Sequence, residues 1–190
     1  METVINSYAM SLPGNFSLSE GSQEIIIEKR WFSIAHLGTL LFALLWNGFT
    51  FFFYSLMMSG NVSVIILLFP ILHVMVGVWL MYYAICGFFN KTVIKASHQE
   101  ISVRHVPLPW SGDKLIERAC IEQLYILEQT KKHRGSIIYS YDVQVVVHNH
   151  SNVSLITGLD TPEEALYIEK KLEQFLRIED RPVEGAYIAS

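Results

Sequence analysis

From Trp31 to Asn90 the chain contains no Asp, Glu, Lys or Arg. No other feature constrains the fold so strongly. A soluble domain is roughly 25% charged, whereas this chain of 190 residues is 17% charged, and the deficit lies in that block. Hiding such a block inside a soluble protein would take two all-round hydrophobic helices and a large polar shell, which the remaining chain is too short to supply. A membrane-spanning helix needs about 20 predominantly apolar residues, so the block is long enough for two. It divides at Ser59-Gly60-Asn61, a turn-forming cluster. Spans are expected over Phe32–Met58 and Val62–Phe89.

The flanks orient this hairpin. Lys29 and Arg30 precede it, Lys91 and Lys95 follow it, and the connecting turn has no cation. By the positive-inside rule both termini are expected in the cytoplasm. Trp31, Trp79, Tyr82 and Tyr83 are candidates for an interfacial aromatic belt. Residues 1–30 read as a polar tail with an amphipathic lead-in at Glu24–Arg30. They do not read as a signal peptide, because Glu2 stands where a basic segment should be and no apolar stretch follows.

Within the apolar block, FALLWNGFTFFF carries one amide, Asn47. It lies 16 residues beyond Trp31, and His73 lies 16 residues before Phe89. At about 1.5 Å rise per residue, both fall at one level, roughly 24 Å along their helices. The two side chains are therefore expected to hydrogen-bond across the helix pair, with Gly48 and Gly77 allowing close approach and Pro70 kinking the second span. Intramembrane ionisable groups mark transport pathways by default. One His, one Asn and no carboxylate make a poor proton relay, however, and structural glue is the better reading. His36, near the interface, needs no special role.

After Asn90 the pattern becomes alternating, as in half-buried strands. Strands are expected over Lys91–Ala96, Glu100–Val106, Ala119–Glu128, Ile138–His148 and Val153–Gly158. A Pro-Leu-Pro-Trp turn (107–110) interrupts them, and Lys131–Arg134 reads as a basic loop. The last element is a helix with Thr161 as N-cap, Pro162 at its first position and Glu163 and Glu164 at the positive end of the dipole. Residues 179–190 read as a polar tail.

Two spans, Asn90-Lys91-Thr92-x-Ile94, the turn ending at Trp110, a run of strands and a helix with Ala165-x-x-Ile168-Glu169 resemble the bacterial two-span membrane proteins that carry a PH-like domain. The resemblance covers about Glu28 to Ile178. It implies an α+β fold, with a transmembrane helical hairpin followed by a PH-like antiparallel sheet or open barrel and a C-terminal helix. It also implies residence in a bacterial inner membrane. The expected domains are 1–30, 31–90, 91–178 and 179–190.

Motifs for chemistry are sparse. His148-x-His150 lacks the further Cys or carboxylate ligands of a closed zinc site. There is no phosphate-binding glycine loop, nucleophile elbow or His-Glu-x-x-His helix. Asp113, Glu117 and Glu122 read as surface charge, and Cys86 and Cys120 as separate thiols. No catalytic residue, cofactor or metal is expected. A net charge of −4 gives no case for nucleic acid. Lys131, Lys132 and Arg134 are candidate contacts for anionic lipid headgroups, although a solvated loop is the more ordinary reading. Trp110 is a candidate anchor for a protein partner, or a cover for one end of the sheet. The expected role is a membrane protein presenting an interaction or scaffolding module, with the bilayer and a protein partner or a second copy as its contacts. The alternative is a transport subunit whose oligomerised hairpins form a pathway through Asn47 and His73.

Overall fold

The computed structural model describes residues 14–60, 63–68, 70–133, 136–148, 152–179, 181, 183 and 185–187. The chain forms two compact units. One takes the described residues of Met1–Lys29, Thr92–His105 and Trp110–Ser190, and the other takes those of Arg30–Lys91 and Val106–Pro109.

The second unit is helical: α1 spans Ile34–Met58, α2 spans Val64–Leu68 and α3 spans Ile71–Phe89. α1 and α3 are both long and apolar enough to cross a membrane. The second apolar stretch is broken at Pro70, which caps α3, as expected of a residue that cannot donate to the preceding turn. The surface of this unit inverts the usual rule. The buried positions of α1 are Ala43 and Thr50, and those of α3 are Gly77, Ala84, Cys86 and Gly87. Large side chains point outward instead, among them Leu45, Phe51, Ile65 and Met75.

The first unit is mixed α+β. Strands β1 (Phe16–Glu20), β2 (Glu24–Arg30), β3 (Lys91–Ser97), β4 (Glu100–Val106) and β5 (Lys114–Glu117) form one sheet in that order. A second antiparallel sheet contains β6 (Ile121–His133), β7 (Ser136–Val147) and β8 (Val153–Leu159), and α4 follows at Pro162–Leu176. The alternation of β3 and β4 sends one side chain in two inward, whereas the middle of β7, Tyr141 to Val145, is buried at every position. Ile94, Val103 and Val143 thus meet Leu124, Ile168 and Leu172 in a single core.

The stretch expected as a tail and lead-in is therefore corrected, since residues 16–20 and 24–30 are the first two strands of the larger sheet. Their role was hidden because β2 pairs with β3, which lies beyond the whole apolar block. Ile25 and Ile27 of β2 are fully buried in the core. Lys29 ties β2 to the start of α4 through a 2.8 Å ion pair with Glu164, and the Asn15 amide donates to the same carboxylate at 3.3 Å. Thr161 caps α4 as expected, accepting from the Glu164 backbone N–H at 3.3 Å. At the other end Arg118 donates to the Leu176 carbonyl at 3.0 Å, satisfying an orphan acceptor of the last turn.

Candidate functional site

The polar residues of the helix pair make a seam, although a different one from that expected. Trp46 and Asn47 on α1 donate to two carbonyls on successive turns of α3. The Trp46 indole N–H reaches His73 O at 2.9 Å, and the Asn47 amide reaches Gly77 O at 3.0 Å. The second hydrogen of that amide goes to Ala43 O at 2.7 Å. Asn47 thus bonds backbone rather than the His73 imidazole, which corrects the expected side-chain pair. Neighbouring positions on a helix point about 100° apart, and it is Trp46, not Asn47, that meets His73, while Asn47 meets Gly77 one turn further along α3. The His73 ring accordingly lies against Trp46, stacked at 5.7 Å between centroids.

Gly77 makes this contact sterically feasible. A Cβ there would stand 2.5 Å from Asn47 Oδ1 and 3.1 Å from Trp46 Cδ1. Gly48, also expected to open the interface, is exposed and has nothing near its missing Cβ. Gly87 plays that part alongside Gly77, since a Cβ there would run into the His36 ring. His36 also meets Tyr83, with ring centroids 5.7 Å apart, and its Nδ1 lies 3.0 Å from Ser33 Oγ. His36 is therefore a packed interface residue. Two polar side chains of α1 fit two glycine notches of α3, the small-residue logic of helix association in lipid. Beside the seam, Phe49, Thr50, Phe53, Pro70 and His73 line a cleft of about 170 Å³.

A second polar junction lies where α3 ends. The Asn90 amide donates to Leu108 O at 3.0 Å, and the Leu108 N–H returns the bond to Asn90 Oδ1 at 2.9 Å. The Asn90 carbonyl also accepts from Trp31 N at 3.1 Å, and the Tyr82 hydroxyl donates to Pro109 O. Asn90 is almost fully buried. Sequence reasoning missed this role, because an Asn after an apolar helix reads as an ordinary cap.

In the α+β unit, Lys131 and Lys132 are exposed, while Arg134 lies outside the described residues. The described part of the basic stretch is strand, not loop. Lys131, Lys132 and His133 continue β6, facing Ile138, Ile137 and Ser136 across the hairpin. Trp110 sits half-buried between β4 and β5. His148 pairs with the Glu122 carboxylate, and His150 lies outside the described residues. Among the described residues no group of three or more His, Cys, Asp or Glu side chains could hold a metal ion.

The polar groups inside this unit link elements of its fold. Lys114 of β5 donates to the Ser154 carbonyl of β8, joining the two sheets. Burial lowers the pKa of this lysine, and the nearby Asp142 carboxylate opposes the shift. Asp142 accepts from Gly158 N at 2.9 Å, and Gln144 donates to Ser154 Oγ at 2.7 Å. His105 Nδ1 lies 3.1 Å from Thr92 Oγ1, and its backbone N–H donates to Asp113 Oδ1 at 3.0 Å. Burial lowers the pKa of this imidazole, and the Asp113 carboxylate partly offsets that. No family model matches the sequence, and no curated protein matches it either.

Proposed function

We propose that the chain is an integral membrane protein in which α1 and the α2–α3 segment form a transmembrane hairpin. The α+β unit then acts as a PH-like module for protein interaction, scaffolding or assembly of a membrane complex. The observation that carries this reading is the inverted surface of the helical unit. Its large apolar side chains face outward and its small ones inward, which suits hydrocarbon and would be costly in water. Asn47 supports an anchor over a transport pathway, because both of its amide hydrogens are committed to carbonyls.

The sheet supports the topology independently of charge counting. β2 precedes the hairpin, β3 follows it, and the two are hydrogen-bonded neighbours, with Glu24 and Lys95 paired at 2.7 Å. Strands that pair must lie on one side of a bilayer, so the intervening block crosses an even number of times. The Lys29, Arg30, Lys91 and Lys95 flanks favour the cytoplasmic side.

Alkaline extraction of membranes tests the anchor. The full chain should remain in the pellet, and its release would overturn the reading. Affinity purification of the full chain in mild detergent, followed by mass spectrometry, tests the module. A reproducible, stoichiometric membrane-complex subunit is expected, and recovery of the chain alone would count against assembly.

A further inference from the structure

Among the described residues, four exposed large apolar side chains lie outside the helical unit: Leu115, Ile137, Ile138 and Tyr139. Three of them are consecutive: Ile137 and Ile138 sit opposite the exposed Lys132 and Lys131, and Tyr139 sits opposite Thr130. β8 pairs with β7 at Tyr141 and beyond, whereas β6 pairs with β7 down to His133 and Ser136. The end of the β6–β7 hairpin is thus a ribbon of two strands, and such ribbons are marginal in water without further packing.

The distribution of side chains on this ribbon is unusual. Successive residues of a strand face opposite sides, and cross-strand partners share a side. Lys132 with Ile137 therefore occupies one face, and Lys131 with Ile138 the other. Each face carries one cation and one branched apolar side chain, so polarity divides between the strands rather than between the faces. A protein partner docking on a sheet would be matched by one apolar face. A medium that surrounds the ribbon, anionic at its surface and apolar beneath, matches both faces. No acidic residue occurs from Gln129 to Ser140, and Arg134 adds a further cation in the sequence.

We propose that this ribbon is a membrane-surface probe. Ile137, Ile138 and Tyr139 enter the boundary between headgroups and acyl chains, while Lys131 and Lys132 engage anionic lipid headgroups with their stems lying along the apolar surface. The proposal rests on the membrane-anchored reading above and adds the class of lipid that the module senses.

The test places the full chain in nanodiscs of phosphatidylcholine, with or without phosphatidylglycerol, and follows hydrogen exchange across the ribbon. Several-fold slower exchange is expected only in the anionic discs. Lys131→Glu with Lys132→Glu should abolish that difference, as should Ile137→Ser with Ile138→Ser. Single removal of either lysine should weaken occupancy about fivefold. Equal exchange in the two kinds of disc overturns the proposal, as does protection that follows chain concentration in both, which would indicate a second copy. Incorporation is read separately by co-elution with the disc scaffold. A chain that stays outside the discs overturns the anchor reading and this proposal with it, whereas an incorporated chain with equal exchange overturns this proposal alone.

Discussion

The two units solve opposite packing problems with the same chain. In the α+β unit, large side chains such as Ile27, Leu124 and Leu172 fill the core, and the hydrophobic effect supplies the driving force. In the helical unit such side chains face outward, and contact between helices depends on what is absent: the Cβ atoms of Gly77 and Gly87. In the proposed membrane setting, lipid tails are as apolar as leucine, so the helices would gain by close approach and directed hydrogen bonds rather than by burial. Asn47 and Trp46 bond backbone across the seam, whereas the α+β unit joins its elements through bonds to backbone and also through a part-buried side-chain ion pair, Lys29 with Glu164.

The largest expected effect falls on that ion pair. Lys29→Ala leaves the Glu164 carboxylate buried beside Asn15 without its cation, and breaking such a pair costs about 3 kcal/mol. Segment-resolved hydrogen exchange of the intact chain in detergent should show β1, β2 and α4 loosening while α1 and α3 keep their protection. Equal loosening of both units would break the comparison.

Next comes the seam. Gly77→Ala forces a methyl against the Asn47 amide and should destabilise the helix pair by about 1–3 kcal/mol. Asn47→Ala removes one interhelical bond, worth about 0.6 kcal/mol on average and about 1.7 at most. Combined, the two changes should cost less than their sum, because the methyl no longer meets the amide. Asn47→Ala with His73→Ala should instead be additive in thermal unfolding in detergent, and strong coupling there would restore a direct bond between them.

The smallest effect is a dependence on pH confined to the α+β unit. Burial lowers the folded-state pKa of His105 below its unfolded value, so the folded form disfavours protonation. The associated stability is complete above the unfolded value of about 6.5 and is lost as pH falls towards and through the lower folded one. Thermal unfolding should therefore occur at lower temperature at about pH 5.5 than at about pH 7.5. His105→Gln should flatten that difference, and an unchanged slope would remove His105 as its source.

What the sequence displayed follows from the range of each interaction. The apolar block, the alternation of β3, β4, β7 and β8, and the Thr161-Pro162 start of α4 are local patterns, and the structure carries elements at each. β1 and β2 were illegible because Phe16–Glu20 is short and polar and the partner of β2 lies beyond Asn90. Lys131–His133 read as a loop because cations suggest solvent, yet a strand that projects as a ribbon is solvated as well. Asn47 stands out in the sequence as the one amide of its apolar run, but its partner, the Gly77 carbonyl, does not, because a backbone carbonyl has no sequence signature. Gly87 and His36 were missed for a related reason: a notch becomes visible only when both helices are in place.

The pairing of β2 with β3 also has a consequence for synthesis. β2 leaves the ribosome before the apolar block, and its partner follows the whole of Trp31–Asn90, which is 60 residues later. At roughly 5–20 residues per second, the wait is about 3–12 s. During that interval the first hairpin keeps Ile25 and Ile27 without their core and one strand edge without its neighbour. With the apolar block inserted as proposed, the larger sheet would close only after insertion is complete. Any delay at a membrane would then lengthen the time for which an apolar strand edge stays open to the wrong partner.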